Sequence, residues 1–265
     1  MAATEPELAP EAGRLTRVAV ELGTPAAPVL VRWTTRRAQD FVDPQMPMRP
    51  GAAGVYDSYA LRTPDGWVLV DPDLPGADAA AGLWGLIGTR PVAILLTNDW
   101  HERDAYALRA AHGAPVWAAA AGWPERGGEL EGRPDHPFED GATLPGGVRA
   151  LRVDGLRAGD TAFRWRAPTG ERVLFTGDAV NGPADPALTR PGHPRLEARL
   201  YFGGRPTYLA RHRDPARFLR SVRRLLDEAT DLLCAAHSRP LRDDPGGALA
   251  RLVHAAAAGD EAADV

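Results

Sequence analysis

In the stretch "LLTNDWHERDA" (residues 95–105), Asn98, Asp99, Trp100, His101, Glu102, Arg103 and Asp104 follow an apolar run without interruption. An imidazole, three carboxylates, an amide and a guanidinium at one junction can ligate a metal ion, move a proton or hold a charged substrate. The same spacing also serves plain structure, because Asp99 as N-cap and Glu102 three residues on form a capping box. Two further candidates end apolar runs: Asp178 in "LFTGDAV" and His237 in "LLCAAHSRP". Taken alone, Asp178 reads as a turn residue and His237 as a satisfied structural histidine. His112, His136, His193, His212 and His254 lack ligand spacing. Cys234, the one cysteine, lies in the apolar "DLLCAA" and reads as a buried core thiol rather than a nucleophile.

The elements that must position these residues are legible as runs. "RVAVEL", "PVLVRW", "VYDSYALR" and "GWVLVDP" read as strands, the last two forming a hairpin over 55–71 around Pro64, Asp65 and Gly66. "ADAAAGLWGLI" reads as a helix, "PVAILLT" as a strand, and Glu102 to His112 as a second helix stopped by Gly113 and Pro115. "APVWAA", "HPFED", "GVRALRV", "DTAFRWR" and "RVLFTGD" continue as strands, with "RWR" alternating as a half-buried antiparallel strand does. Asp214 caps the clearest helix, "DPARFLRSVRRLLDEA", with Pro215 at its first position and Phe218, Leu219, Val222, Leu225 and Leu226 as its apolar stripe. "DLLCAAH" is a further strand and "PGGALARLVHAAAA" a last helix. Strand-rich halves, each followed by helix, predict two sheets packed together with helices outside.

Composition narrows the chemistry. The 265 residues are 44% apolar and 25% charged, which is ordinary for a globular protein. All 31 basic side chains are arginine, so lysine Schiff-base chemistry is excluded. The net charge of −4 and the lack of a basic cluster with interleaved aromatics argue against nucleic acid. No apolar run reaches the roughly 18 residues of a membrane span, and the acidic start has no signal-peptide pattern. With one cysteine, the expected compartment is the cytoplasm. Residues 1–14 and 259–265 are expected to be disordered tails around a single domain over 15–258. Neither a nucleophile elbow nor a phosphate-binding loop is present.

The ordered series "YALRTPDGWVLVDP", "ILLTNDWHERDA", "FEDGATLPGG", "LRVDGLRAGDTAF", "VLFTGDAV" and "LLCAAH" resembles the metallo-β-lactamase superfamily over roughly residues 27–240. The resemblance implies an α/β fold, an αββα sandwich of two mixed sheets with one or two metal ions, usually zinc, at its edge. It also implies a motif HxHxDH after the strand "AILLT". Here the two leading histidines fall on Asn98 and Trp100, the aspartate on Glu102, and the third histidine on Arg103. The histidine expected after Gly155 is Leu156. Asp178 and His237 alone keep their identities.

Tryptophan and leucine cannot ligate zinc and an amide is a poor ligand, so the first metal position of that family is lost. The second is expected to survive, if at all, as a single site of Glu102, Asp178 and His237. Arg103 is a permanent cation, repulsive toward a divalent ion within about 4 Å by several kcal/mol. It is therefore expected to replace the metal by pairing with Asp178 or Glu102. His101 is expected to point away, or else to polarise substrate together with Arg103. The resemblance, with these residues, implies a hydrolase-like protein acting on small esters, thioesters or lactones, with one zinc or other divalent ion, or none. The alternative is a non-catalytic ligand-binding or scaffold protein that keeps the fold. The expected partner is a small molecule, with no nucleic acid and no membrane.

Overall fold

A computed structural model describes residues 17–38, 53–74, 77–88, 90–122, 132–156, 159–183, 200–202 and 214–258. The tails expected at 1–14 and 259–265, and His193 and His212, lie outside the described residues. Strands β1 (Arg17–Thr24), β2 (Ala27–Ala38), β3 (Ala53–Thr63), β4 (Gly66–Val70), β5 (Pro91–Leu95), β6 (Val116–Ala119) and β7 (His136–Phe138) form a seven-stranded sheet in chain order. Its first four strands pair antiparallel and its last four parallel. The second sheet has five strands: β8 (Thr143–Leu144), β9 (Val148–Arg152), β10 (Thr161–Arg166), β11 (Arg172–Phe175) and β14 (Leu232–Cys234), in the order β14-β11-β10-β9-β8. A separate ribbon joins β12 (Val180–Asn181) to β13 (Tyr201–Phe202).

Period-two alternation sorts each strand's side chains between two apolar layers, as the pleat requires. From β4 and β5, Val68, Val70, Ala93 and Leu95 face inward to meet Phe163, Trp165, Val173, Phe175 and Leu232 of the other sheet. Their neighbours Trp67, Leu69 and Ile94 face outward onto Leu83 and Ile87 of α1 (Ala77–Ile87) and Ala105 and Leu108 of α2 (Ala105–His112). On the other side, Leu151, Ala162, Leu174 and Leu233 meet Phe218 and Val222 of α3 (Pro215–Arg224) and Leu249, Leu252 and Val253 of α4 (Pro245–Ala257). The layers run helix, sheet, sheet, helix, as expected. Asp214 caps α3 by accepting from the Arg217 N–H at 2.9 Å. No described helix is long and apolar enough to cross a membrane.

Two expectations change. β10 is not half-buried, because its outer face lies under α3. Arg164 is accommodated there by donating to the carbonyls of Leu225, Glu228 and Ala229 just beyond α3. The helix expected from Glu102 starts at Ala105 instead, after a separate 3-10 turn over Asp99–His101. Asn98, not Asp99, caps that turn, accepting from the Trp100 N–H at 2.9 Å. The expected Asp99–Glu102 capping box therefore does not form.

A buried charge network joins β1, β2 and β3 close to the site strand. Arg32 donates to Asp57 at 2.8 Å and to Glu21 at 2.9 Å, and Thr34 donates to Asp57 at 2.6 Å. Burial pushes the Asp57 carboxyl up, and the Arg32 guanidinium offsets part of that. The Asp57 N–H donates to the Ala236 carbonyl at 2.7 Å, beside His237. Removing one partner of a buried pair leaves the other charge uncompensated. Arg32→Met is accordingly expected to destabilise the protein by about 3–5 kcal/mol, measured by urea unfolding. A loss under about 1 kcal/mol would mean that Asp57 is compensated elsewhere.

Candidate metal centre

The site lies where three strand ends meet. β5 delivers Thr97, Asn98 and the 3-10 turn, the loop after β11 delivers Asp178, and the loop after β14 delivers His237. Gly177 allows this closure. Its φ is +53°, and a Cβ there would lie 2.8 Å from Thr97 Oγ1, so a side chain would force the loops apart. Backbone bonds then tie the loops together, from Thr161 N–H to the Thr97 carbonyl at 2.8 Å and from Ala236 N–H to the Gly177 carbonyl at 3.2 Å.

In a 3-10 helix, side chains three residues apart eclipse one another. The short turn therefore puts His101 on the same side as Asn98, and both reach Asp178. Asn98 Nδ2 donates to Asp178 Oδ2 at 3.2 Å, while His101 Nε2 lies 3.2 Å from Asp178 Oδ1. His237 Nε2 approaches the same Oδ1 at 3.0 Å. The expectation that His101 points away is overturned. Its side chain is 4% exposed, against 33% for Asp178 and 32% for His237, so the site opens to solvent on the Asp178–His237 side.

His101, Asp178 and His237 each offer a ligand atom within 4.8 Å of the other two, a spacing suited to one ion. Asp178 Oδ1 is close enough to both imidazoles for ion pairing, yet it makes no aligned hydrogen bond with either. The far side of each ring is held. His237 Nδ1 lies 2.7 Å from the Val55 carbonyl, which can only accept, so Nδ1 carries a proton and Nε2 is the nitrogen that faces Asp178. His101 Nδ1 lies 2.9 Å from Asp71 Oδ2. Burial works against an imidazolium at His101 and so does the Arg103 charge, but Asp178 and Asp71 together push its pKa up to about 9. Burial would raise the Asp178 carboxyl, yet His101 and His237 hold it well below the usual range.

The remaining expected site residues lie elsewhere. Glu102 is not in the three-residue group; it lines a neighbouring cleft with Leu96, Asn98, Asp99 and Tyr106. Burial and the Glu102 charge push the Tyr106 phenol up. Arg103 does not pair with Asp178 or Glu102. It donates to the carbonyls of Asp71 at 3.0 Å and Asp57 at 3.2 Å, with its guanidinium 4.8 Å over the Tyr56 ring. These contacts hold it at φ +40°, in the left-handed region. The Trp100 side chain is partly exposed, and Leu156 packs against the helical layer of α3 and α4. Gly155 fits that packing, since a Cβ at its φ of +91° would strike the Asp214 carbonyl and the Phe218 N–H. Sequence reasoning missed Asp71 and Thr97 as partners of His101. The signal was "VLVDP", an aspartate ending an apolar strand.

No family profile and no curated protein sequence matches the chain. Solved structures do. A metallo-β-lactamase from Pontibacter korlensis superposes with a TM-score of 0.60 at 14% identity, over 91% of this chain and 99% of that one. TTHA1623, solved in a di-iron-bound form, is 24% identical over 74% of this chain and 93% of its own, with a TM-score of 0.53. TTHA1429, a metallo-β-lactamase family protein from Thermus thermophilus, is 21% identical over 78% and 75%, with a TM-score of 0.51. With the two mixed sheets and their outer helices already described, these likenesses show that the chain has the metallo-β-lactamase fold.

Proposed function

We propose that this protein is a single-metal hydrolase of small esters, thioesters or lactones, with His101, Asp178 and His237 holding one divalent ion. The observation that carries the reading is the convergence of His101 Nε2, Asp178 Oδ1 and His237 Nε2. The two ring nitrogens pointing away are met by a carboxylate and a carbonyl, the outer partners usual for metal-bound histidine. Two imidazoles and a carboxylate suit zinc or iron among divalent ions.

When bound, such an ion supplies Lewis acidity toward a substrate carbonyl. The chain's own residues do the rest. Asn98 holds Asp178 Oδ2, which leaves Oδ1 turned toward the imidazoles. Asp178 and His237, each about a third exposed, form the wall that substrate can reach. Arg103 is neutralised by no carboxylate in its hydrogen bonds, so its charge remains to oppose a second cation.

Elemental analysis of protein purified without chelator or affinity tag tests the reading. At most one equivalent of zinc or iron per chain is expected. Asp178→Ala and His237→Ala are each expected to lower zinc affinity by more than the roughly 10–100-fold typical of losing an outer partner. Two equivalents in the native protein, or unchanged affinity in both variants, would overturn it. Turnover of an activated ester or thioester by the loaded protein, lost in both variants, supports hydrolysis. Tight metal binding with no turnover supports the ligand-binding alternative.

Without metal, the convergent acceptors hold protons instead. The His101 pKa of about 9 lies above the ordinary 6.5, because the charges of Asp178 and Asp71 outweigh burial and the Arg103 charge. A raised folded pKa means that His101 contributes fully below about pH 6.5 and loses that contribution as pH rises through 9. Chelator-treated protein is therefore expected to lose thermal stability across this window relative to His101→Gln. Parallel melting curves for the two would show that the site carries no such proton.

A further inference from the structure

Because Asn98 rather than Asp99 caps the 3-10 turn, the carboxylates of Asp99 and Glu102 do not form a capping box. Both line the cleft beside the candidate metal centre instead, together with Tyr106 of α2. The floor of the cleft is apolar, from Leu96 just after β5 and Ala118 of β6. Its far wall is backbone. Gly159 has φ +95°, and a Cβ there would lie 2.5 Å from the Gly122 Cα, so a side chain would force that wall apart. The enclosed part has room for about one water-sized group, and the rest opens to solvent.

No cationic side chain lines this cleft. Arg109 lies 5.0 Å over the face of the Tyr106 ring, but it donates away from the cleft, to Asp135 at 3.2 Å and to the Arg133 carbonyl at 3.0 Å. Asn98 Nδ2 is already committed to Asp178. Tyr106 is 6% exposed, and its hydroxyl, open to the cleft, makes no hydrogen bond among the described residues. Burial and the Glu102 charge together hold the proton on that phenol. Asp99 and Glu102 have contacts of their own, but a carboxylate has about four lone-pair sites and can accept a further donor. The cleft is thus a small space of negative sign, walled by acceptors and floored by hydrocarbon.

We infer that this cleft binds the primary ammonium group of a small organic molecule. An ammonium group brings three N–H donors for the three acceptor groups of Asp99, Glu102 and Tyr106, in about the size of a water molecule. Water brings two donors and an alcohol one, and neither brings charge to answer two carboxylates. The alkyl chain lies along Leu96 and Ala118, a surface that a bare inorganic cation leaves uncovered. A quaternary ammonium is too large for the enclosed part and has no N–H to donate. The inference does not rest on the single-metal reading. Asn98 alone belongs to both places, lining the cleft and holding Asp178 Oδ2.

Calorimetric titration of the full chain at neutral pH with n-butylammonium, n-butanol, tetramethylammonium and potassium tests the inference. Butylammonium is expected to saturate one site per chain, with butanol weaker by about tenfold or more. Tetramethylammonium and potassium are expected not to compete. Glu102→Gln is expected to weaken butylammonium by about tenfold or more, the loss of a charged partner, and Tyr106→Phe by about 2–10-fold, the loss of a neutral one. If Glu102→Gln does not fold, Asp99→Asn takes its place with the same loss expected. Nuclear Overhauser contacts between the butyl chain and the Tyr106 ring are expected to place the ligand. No saturable binding, butanol as tight as butylammonium, or full affinity in both variants would overturn the inference. Potassium displacing butylammonium at comparable affinity would overturn it in favour of an inorganic cation. Zinc uptake measured on the same samples separates the two readings, since its failure would overturn the metal reading alone.

Discussion

Asp178 Oδ1 stands between two imidazole nitrogens with no aligned hydrogen bond to either, and both rings have their other nitrogen committed elsewhere. That constraint organises the site. Three acceptors drawn to one point repel unless a cation lies among them, and folding must supply the force that holds them. It does so through bonds reaching back into both sheets. Val55 and Asp71 belong to the seven-stranded side, while Gly177 and Ala236 tie the loops after β11 and β14. The Arg32–Asp57 network lies directly behind, with the Asp57 N–H bonded to the residue before His237.

Much of this was legible in the sequence because strand alternation is a local property. Each of β4, β5 and β11 divides its side chains between the layers as its residues predict, and Asp214 and Pro215 start α3 as expected. Asp178 and His237 were singled out by the resemblance, since alone they read as a turn residue and a structural histidine; the structure brings both into one group with His101. His101 was not. Its direction depends on a turn of three residues, too short for any periodicity, where helix starting at Glu102 was the simpler reading. Arg103 was misplaced for a similar reason. Its left-handed backbone is held by the carbonyls of Asp57 and Asp71, which lie far away in sequence.

The turn also accounts for His101 reaching Asp178, where the resemblance placed no ligand. A pattern of histidines two apart relies on extended backbone, whose alternate residues share a face. In this chain the backbone coils at Asp99–His101, and residues three apart share the face instead. Asn98 and His101 then divide the work, one bonding Asp178 Oδ2 and the other approaching Oδ1. Leu156 is released from any polar duty and joins the apolar layer under α3.

On the single-metal reading proposed above, charge sets how many ions are expected. With neutral imidazoles, Asp71 and Asp178 bring two negative charges and Arg103 one positive, leaving one net negative charge around the cluster. A single divalent ion reverses that to one positive charge, which partly exposed side chains and solvent can screen. A second ion would leave a net three positive charges, counting the Arg103 guanidinium, which cannot deprotonate. Arg103 already acts electrostatically on His101, and among the described residues no further ligand joins the three-residue group to offset such repulsion. On that reading, Arg103 opposes a second ion without touching the site, as a fixed charge held by backbone carbonyls and the face of Tyr56.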